Sequence, residues 1–123
     1  MKNLLKTPLT KMLNMDFPII QAPMFLVSNS SMLIEAANSG ITGCVPAMNY
    51  RTINELRDAI VYIKCNCDGP VGVNLIVNKF NTQTSKQLDV CIETEVDYII
   101  TSLGNPKSII NGMSLFKSYI IFP

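Results

Sequence analysis

Histidine and tryptophan are both absent from this chain. Without an imidazole the segment offers no histidine general base and no Cys/His metal site. Its four cysteines do not restore one, because Cys65-Asn66-Cys67 is a C-x-C and not the C-x-x-C of redox and zinc sites. Cys44 and Cys91 lie in apolar surroundings and read as small core residues. The opening Met1-Lys2-Asn3-Leu4-Leu5-Lys6 is too briefly apolar for a signal peptide, and Pro8 and Lys11 interrupt the residues after it. Reduced thiols and a cytoplasmic location are therefore expected.

Charge is scarce too. Only 15% of the residues are charged, against about 25% in ordinary globular domains, and the mean hydropathy is +0.27. Strands covered on both faces, or surface that meets more protein, would produce that deficit. With a net charge of +1 and lysines and arginines scattered singly, no basic patch suits nucleic acid or an anionic membrane. No apolar run reaches membrane-spanning length. The expected partner is a small-molecule substrate. Also missing are the phosphate-cradling patterns G-x-G-x-x-G and G-x-x-x-x-G-K, which argues against an open nucleotide-binding sheet.

What the chain does have is a regular alternation of two periods. Thr7 to Asn14 suits a short helix with Thr7 as N-cap and Pro8 in the first helical position. Pro18 to Gln21 reads as a strand that stops at Ala22-Pro23-Met24. Asn29 or Ser30 then caps a helix with Met32, Leu33, Ala36 and Ala37 on one face, and Gly40 suits the left-handed position past its end. Strand Ile41 to Val45 leads through Pro46-Ala47-Met48-Asn49-Tyr50 to a helix whose Thr52 and Glu55 spell a capping box. Its apolar stripe is Ile53, Leu56, Ile60 and Ile63, and Asp68-Gly69-Pro70 ends it. The spacing predicts further strands at Val71 to Val77, Asp97 to Thr101 and Ser118 to Phe122. Between them fall a helix over Thr84 to Thr94, with Leu88, Val90, Cys91 and Ile92 inward, and a helical turn from Lys107.

Four to five β/α units of about 25 to 30 residues match a βαβ repeat. Periodicity alone leaves open whether they close into a barrel or form a doubly wound sheet. An eight-fold barrel usually needs about 250 residues, so a barrel reading makes the 123 residues a single partial domain, roughly half of the whole.

Four stretches carry a resemblance. Pro18-Ile19-Ile20-Gln21-Ala22-Pro23-Met24 is similar to the opening signature of the nitronate monooxygenase family, FMN-dependent (β/α)8 barrels related to the flavin-dependent enoyl-ACP reductases. The runs from Gly43 to Thr52, Gly69 to Asn78 and Ile100 to Pro106 resemble the same family in order and spacing. The resemblance covers about residues 7 to 110 and implies an α/β fold, the N-terminal half of a (β/α)8 TIM barrel. It further implies that Ala22, Pro23 and Met24 approach the isoalloxazine ring and that Asn74 hydrogen-bonds the flavin's polar edge. Ser102 and Gly104 would line the flavin's flank or the substrate side.

Side-chain chemistry agrees with those roles. Proline fixes φ and gives a rigid wall, a carboxamide offers donor and acceptor, and glycine permits close backbone approach. Each residue also has an ordinary reading, as a strand-ending proline, a core methionine, a satisfied interior amide or a plain turn. The family's phosphate-binding glycines and catalytic histidine belong to later loops that match nothing here. From Asn111 to Pro123 the resemblance fades into a divergent tail, which reads as a truncated or frameshifted product. The implied reaction of a complete relative is oxidation of alkyl nitronates by oxygen to a carbonyl compound and nitrite. A flavin-dependent enoyl reductase is the rival, and a non-catalytic remnant that self-associates through exposed strand edges is the other alternative.

Overall fold

Helix starts obey the local chemistry closely. The computed structural model describes residues 5–112 and 118–121. In α1 (Pro8–Leu13) the Thr7 hydroxyl accepts from the Thr10 N–H at 3.2 Å, and Thr10 Oγ1 accepts from the Thr7 N–H at 2.9 Å. Asn29, not Ser30, caps α2 (Ser30–Asn38) by accepting from the Met32 N–H at 3.0 Å. Thr52 and Glu55 form the expected box on α3 (Ile53–Asn66), with the Glu55 N–H 3.1 Å from Thr52 Oγ1. Gly40 takes φ +83 after α2, where an added Cβ would lie 2.6 Å from Asp16 Oδ2. Helices α4 (Thr84–Glu93) and α5 (Lys107–Gly112) complete the set.

The strands are β1 (Ile20–Gln21), β2 (Thr42–Pro46), β3 (Val71–Ile76), β4 (Tyr98–Ser102) and β5 (Tyr119–Ile121). All five differ from the sequence-based bounds by a residue or two, β5 by starting at Tyr119 and not at Ser118. The start of β1 is later because Pro18 has no N–H to give and the Ile19 N–H turns back to Phe17 O at 2.8 Å. β2 runs on through Pro46, which pairs with Asn74 and leads into a 3-10 turn, Ala47–Asn49. β3 stops one residue sooner, and β4 starts and ends one residue later. Phe122 of the expected fifth strand lies outside the described residues, as does the rest of the tail at 113–117 and 123.

All pairings are parallel and the order is β1-β2-β3-β4-β5. A doubly wound sheet would reverse its order somewhere and carry crossover helices on both faces. Among the described residues the order does not reverse, the crossover helices α2, α3 and α4 share one face, and the opening helix α1 alone lies on the other. Val45, Val71, Val73, Leu75 and Ile99 face one way and pack with Leu33, Leu56, Ile60, Ile63, Leu88 and Cys91 of α2, α3 and α4. Their neighbours in sequence Cys44, Tyr98 and Ile100, together with Ile121 of β5, face the other way, where they pack with Leu9, Leu13 and Met15. The winding is single: the crossover helices cover one face, and the opening helix α1 closes the N-terminal end of the inner one.

Tyr98 fills the inner face near its N-terminal end. It is wholly buried, and its hydroxyl donates to Gly43 O at 2.8 Å and lies 3.2 Å from Thr42 Oγ1. The ring occupies the space above Gly72, where a Cβ would stand 2.3 Å from two of its atoms.

Candidate functional site

In a parallel sheet every strand ends on the same side, so the βα loops gather there. Ala22, Pro23 and Met24 come after β1 on that side, Asn74 lies in β3, Ser102 ends β4 and Gly104 is in the loop after it. Asn74 shares the inner face with Gly72 and Ile76, because side chains alternate along a strand.

Two of these residues touch. Asn74 Nδ2 donates to Ile100 O at 3.0 Å and to Ser102 Oγ at 3.1 Å. Both amide hydrogens are thereby used within the sheet, and Asn74 Oδ1 accepts nothing from the described residues. The Ser102 hydroxyl, an acceptor toward Asn74, has no acceptor of its own among them. The pair thus presents one acceptor and one donor side by side, both half-buried. The donor expected from Asn74 comes instead from its neighbour.

The loop after β1 is organised by Ser28, which is fully buried. Its Oγ donates to Ala22 O at 2.8 Å and accepts from the Met24 N–H at 2.7 Å and from Gln21 Nε2 at 3.0 Å. Gln21 Nε2 also donates to Ala22 O. Pro23 is half-buried, while Met24 and the apolar run Phe25, Leu26 and Val27 are exposed. Asn49, in the 3-10 turn after β2, accepts from the Leu26 N–H and donates to Ser28 O. Neither Ser28 nor Asn49 stands out in the sequence as a site residue. The Asn49 hydrogen bonds reach backbone 21 and 23 residues away, and those of the Ser28 hydroxyl, four to seven residues away, follow no recognised turn pattern.

Gly104 has a structural reason of its own. A Cβ there would lie 2.7 Å from Val77 O, so the residue is small because the loop after β3 passes against it. Leu103 beside it holds φ +59 and is exposed. Deeper on the inner face, burial pushes the Cys44 thiol and the Tyr98 hydroxyl far up from their ordinary values, with the Cys44–Cys91 and Tyr98–Cys44 proximities adding to it. Both stay protonated at neutral pH, so neither supplies a thiolate or phenolate to the site.

The sequence profile of the nitronate monooxygenase family matches residues 6–117. The chain belongs to that family. Curated relatives described as probable nitronate monooxygenases, from Staphylococcus aureus strains JH9 and Newman, are 33% identical over 84 residues, 68% of this chain and 23% of their own length. The chain thus spans about a quarter of the relatives it matches. Among solved structures, FabK from Thermotoga maritima superposes with a TM-score of 0.87 at 24% identity, covering 96% of this chain and 37% of that one. Its M276A mutant gives 0.86 at 25%, covering 96% and 39%. The single winding of the sheet and this likeness make the fold a partial (β/α)8 barrel.

The family is one of oxidoreductases, and the local geometry can be held against the flavin that the sequence resemblance implies. A flavin's ring edge alternates carbonyls with an N–H. The adjoining acceptor at Asn74 and donor at Ser102 suit such an edge, and half-buried Ile76 and Ile100 beside them suit a flat apolar ring. None of the six residues carries a positive charge, so they fit the ring and not the phosphate.

Proposed function

We propose that this chain supplies the ring-binding side of an FMN site in an enzyme that oxidises alkyl nitronates. The observation that carries the reading is the Asn74–Ser102 pair. Its free Oδ1 accepts from the ring N–H, and its free hydroxyl donates to the adjoining ring carbonyl. Such a pair matches the N–H and adjoining carbonyl of a flavin edge, and it does not match a phosphate, which has no donor for Oδ1. Pro23 and Met24 stand over the mouth of the same end as a wall with few conformations to lose. FMN, when bound, carries the electron transfer between nitronate and oxygen. These residues hold and orient it, and the apolar rim of Phe25, Leu26 and Val27 helps to exclude water.

Phosphate binding and proton transfer fall to parts of a complete relative beyond these 123 residues. On that reading FMN, riboflavin and lumiflavin bind the isolated chain alike, within about threefold, since the phosphate finds no partner. Quenching of flavin fluorescence on titration with the chain measures this. Asn74→Leu weakens all three by at least about tenfold, the loss expected for one buried hydrogen bond to a polar ring. Equal affinity in Asn74→Leu, or no binding by the wild-type chain, would overturn the reading. The isolated chain releases no nitrite from propyl nitronate and oxidises no NAD(P)H with an enoyl thioester. Turnover of the enoyl thioester would favour the reductase alternative.

A further inference from the structure

Asn49 gives its side chain to neither of the elements it lies between. It ends the 3-10 turn after β2, yet both ends of its carboxamide reach the loop after β1. Oδ1 accepts from the Leu26 N–H at 2.8 Å, and Nδ2 donates to Ser28 O at 2.7 Å, spanning 23 and 21 residues of sequence. Leu26 sits at φ +58, a left-handed conformation that a leucine adopts at a cost, and its side chain is 72% exposed. Packing of that side chain therefore does little to hold the conformation. The hydrogen bond from the Leu26 N–H to Asn49 helps to hold it, beside the turn bonds from the Val27 and Ser28 N–H groups to Met24 O at 3.0 and 2.9 Å.

The hold passes inward through Ser28. Its backbone carbonyl is fixed by Asn49, while its hydroxyl fixes Ala22 O at 2.8 Å and the Met24 N–H at 2.7 Å. Both residues that flank Pro23 are thus tied to Ser28, and Ser28 to Asn49. We infer that Asn49 is a positioning residue for the Pro23–Met24 wall, setting where that backbone stands against a bound flavin ring through the linkage Asn49–Ser28–Met24. It makes no contact with the flavin itself. The inference rests on the proposed flavin site.

An isosteric carboxylate separates this role from mere support. Asn49→Asp, when ionised, keeps the acceptor for Leu26 but loses the donor to Ser28 O and sets a negative charge against that carbonyl. When protonated it regains the donor. A carboxyl facing a carbonyl holds its proton more firmly than a free one, so the variant switches in mildly acidic solution. Riboflavin affinity of Asn49→Asp, corrected for fraction folded by urea titration, is expected near wild type at pH 4.5 and about tenfold weaker at pH 8. Wild type stays flat over that range, and Asn49→Ala is about tenfold weaker throughout. In the Asp variant the Met24 amide resonance tracks the same pH midpoint without flavin. If wild type binds while both variants bind equally well at every pH, the positioning role is refuted and the flavin reading stands. If wild type binds no riboflavin, the flavin reading falls and this inference with it.

Discussion

Replacing Gly72 by alanine places a methyl group where Tyr98 already is. The new Cβ would lie 2.3 Å from Cε2 and Cζ of the ring and 2.8 Å from Cε1. The ring has nowhere to go, because Tyr98 is wholly buried and its hydroxyl is tied to Gly43 O at 2.8 Å. Overpacking of this kind costs about 1–3 kcal/mol. If the ring tilts away, its hydroxyl loses that bond at about 1–3 kcal/mol more. A total of roughly 2–6 kcal/mol is large against the 5–15 kcal/mol that holds a typical domain together. Urea titration followed by far-UV circular dichroism should show a much lower midpoint or no cooperative transition. The partner experiment is Gly72→Ala with Tyr98→Leu, which removes the obstructing ring. It should be about as stable as Tyr98→Leu alone, a non-additivity of at least about 1.5 kcal/mol. Gly72→Ala within about 0.5 kcal/mol of wild type, or strictly additive behaviour in the pair, would refute the packing of the inner face.

Other consequences arise from single groups. Thr52→Ala removes one half of the α3 capping box and should lower stability by about 1 kcal/mol in the same titration, with an unchanged slope. Burial pushes the Cys91 thiol up to about 12 from 9.0, so between those values the unfolded chain binds fewer protons than the folded one. The contribution of this thiol to stability should therefore be level below about pH 8 and fall as pH rises from 9 toward 12, by up to about 1.4 kcal/mol per unit for each such group. Cys91→Ala should make that fall less steep, as read from urea midpoints at pH 8 and pH 10. Ile20, Ile100 and Ile121 are only half-buried on the inner face, and β1 and β5 end the described sheet. The isolated chain should accordingly self-associate, giving a light-scattering mass above 13.6 kDa that rises with concentration.

Local chemistry was the legible part of the sequence. The Thr52–Glu55 box, the Pro8 start, the Asn29 cap and the left-handed Gly40 each depend on residues three or fewer apart, and all stand where the pattern predicts. Sidedness was not legible. Strands covered on both faces are apolar throughout, so nothing in Ile99 and Ile100 says which faces the helices and which the interior. Single winding was undecided for the same reason, since strand order is a property of pairing and not of period. The alternation misjudged α4 slightly. Ile92 is only half-buried, whereas Gln87 is buried and accepts from Asn81 Nδ2 at 3.1 Å.

At the site, the residues that resemble the family's motifs were readable, but their interactions were not. Asn74 spends both donors on β4, 26 and 28 residues away. Gly104 makes room for the Val77 backbone. Ser28 and Asn49 form their network across loops that the sequence separates by some twenty residues. Each of these is a tertiary consequence of the strand order.

The most direct test is to label the chain with nitrogen-15 and monitor its amide and carboxamide resonances as riboflavin is added. Shifts should centre on the Asn74 side chain and on the backbone of Met24, Ser102 and Leu103, leaving the outer faces of α3 and α4 unmoved. Shifts confined to those helices, or to the opposite end of the sheet at Tyr98 and Met15, would contradict a ring seat at the mouth of the barrel.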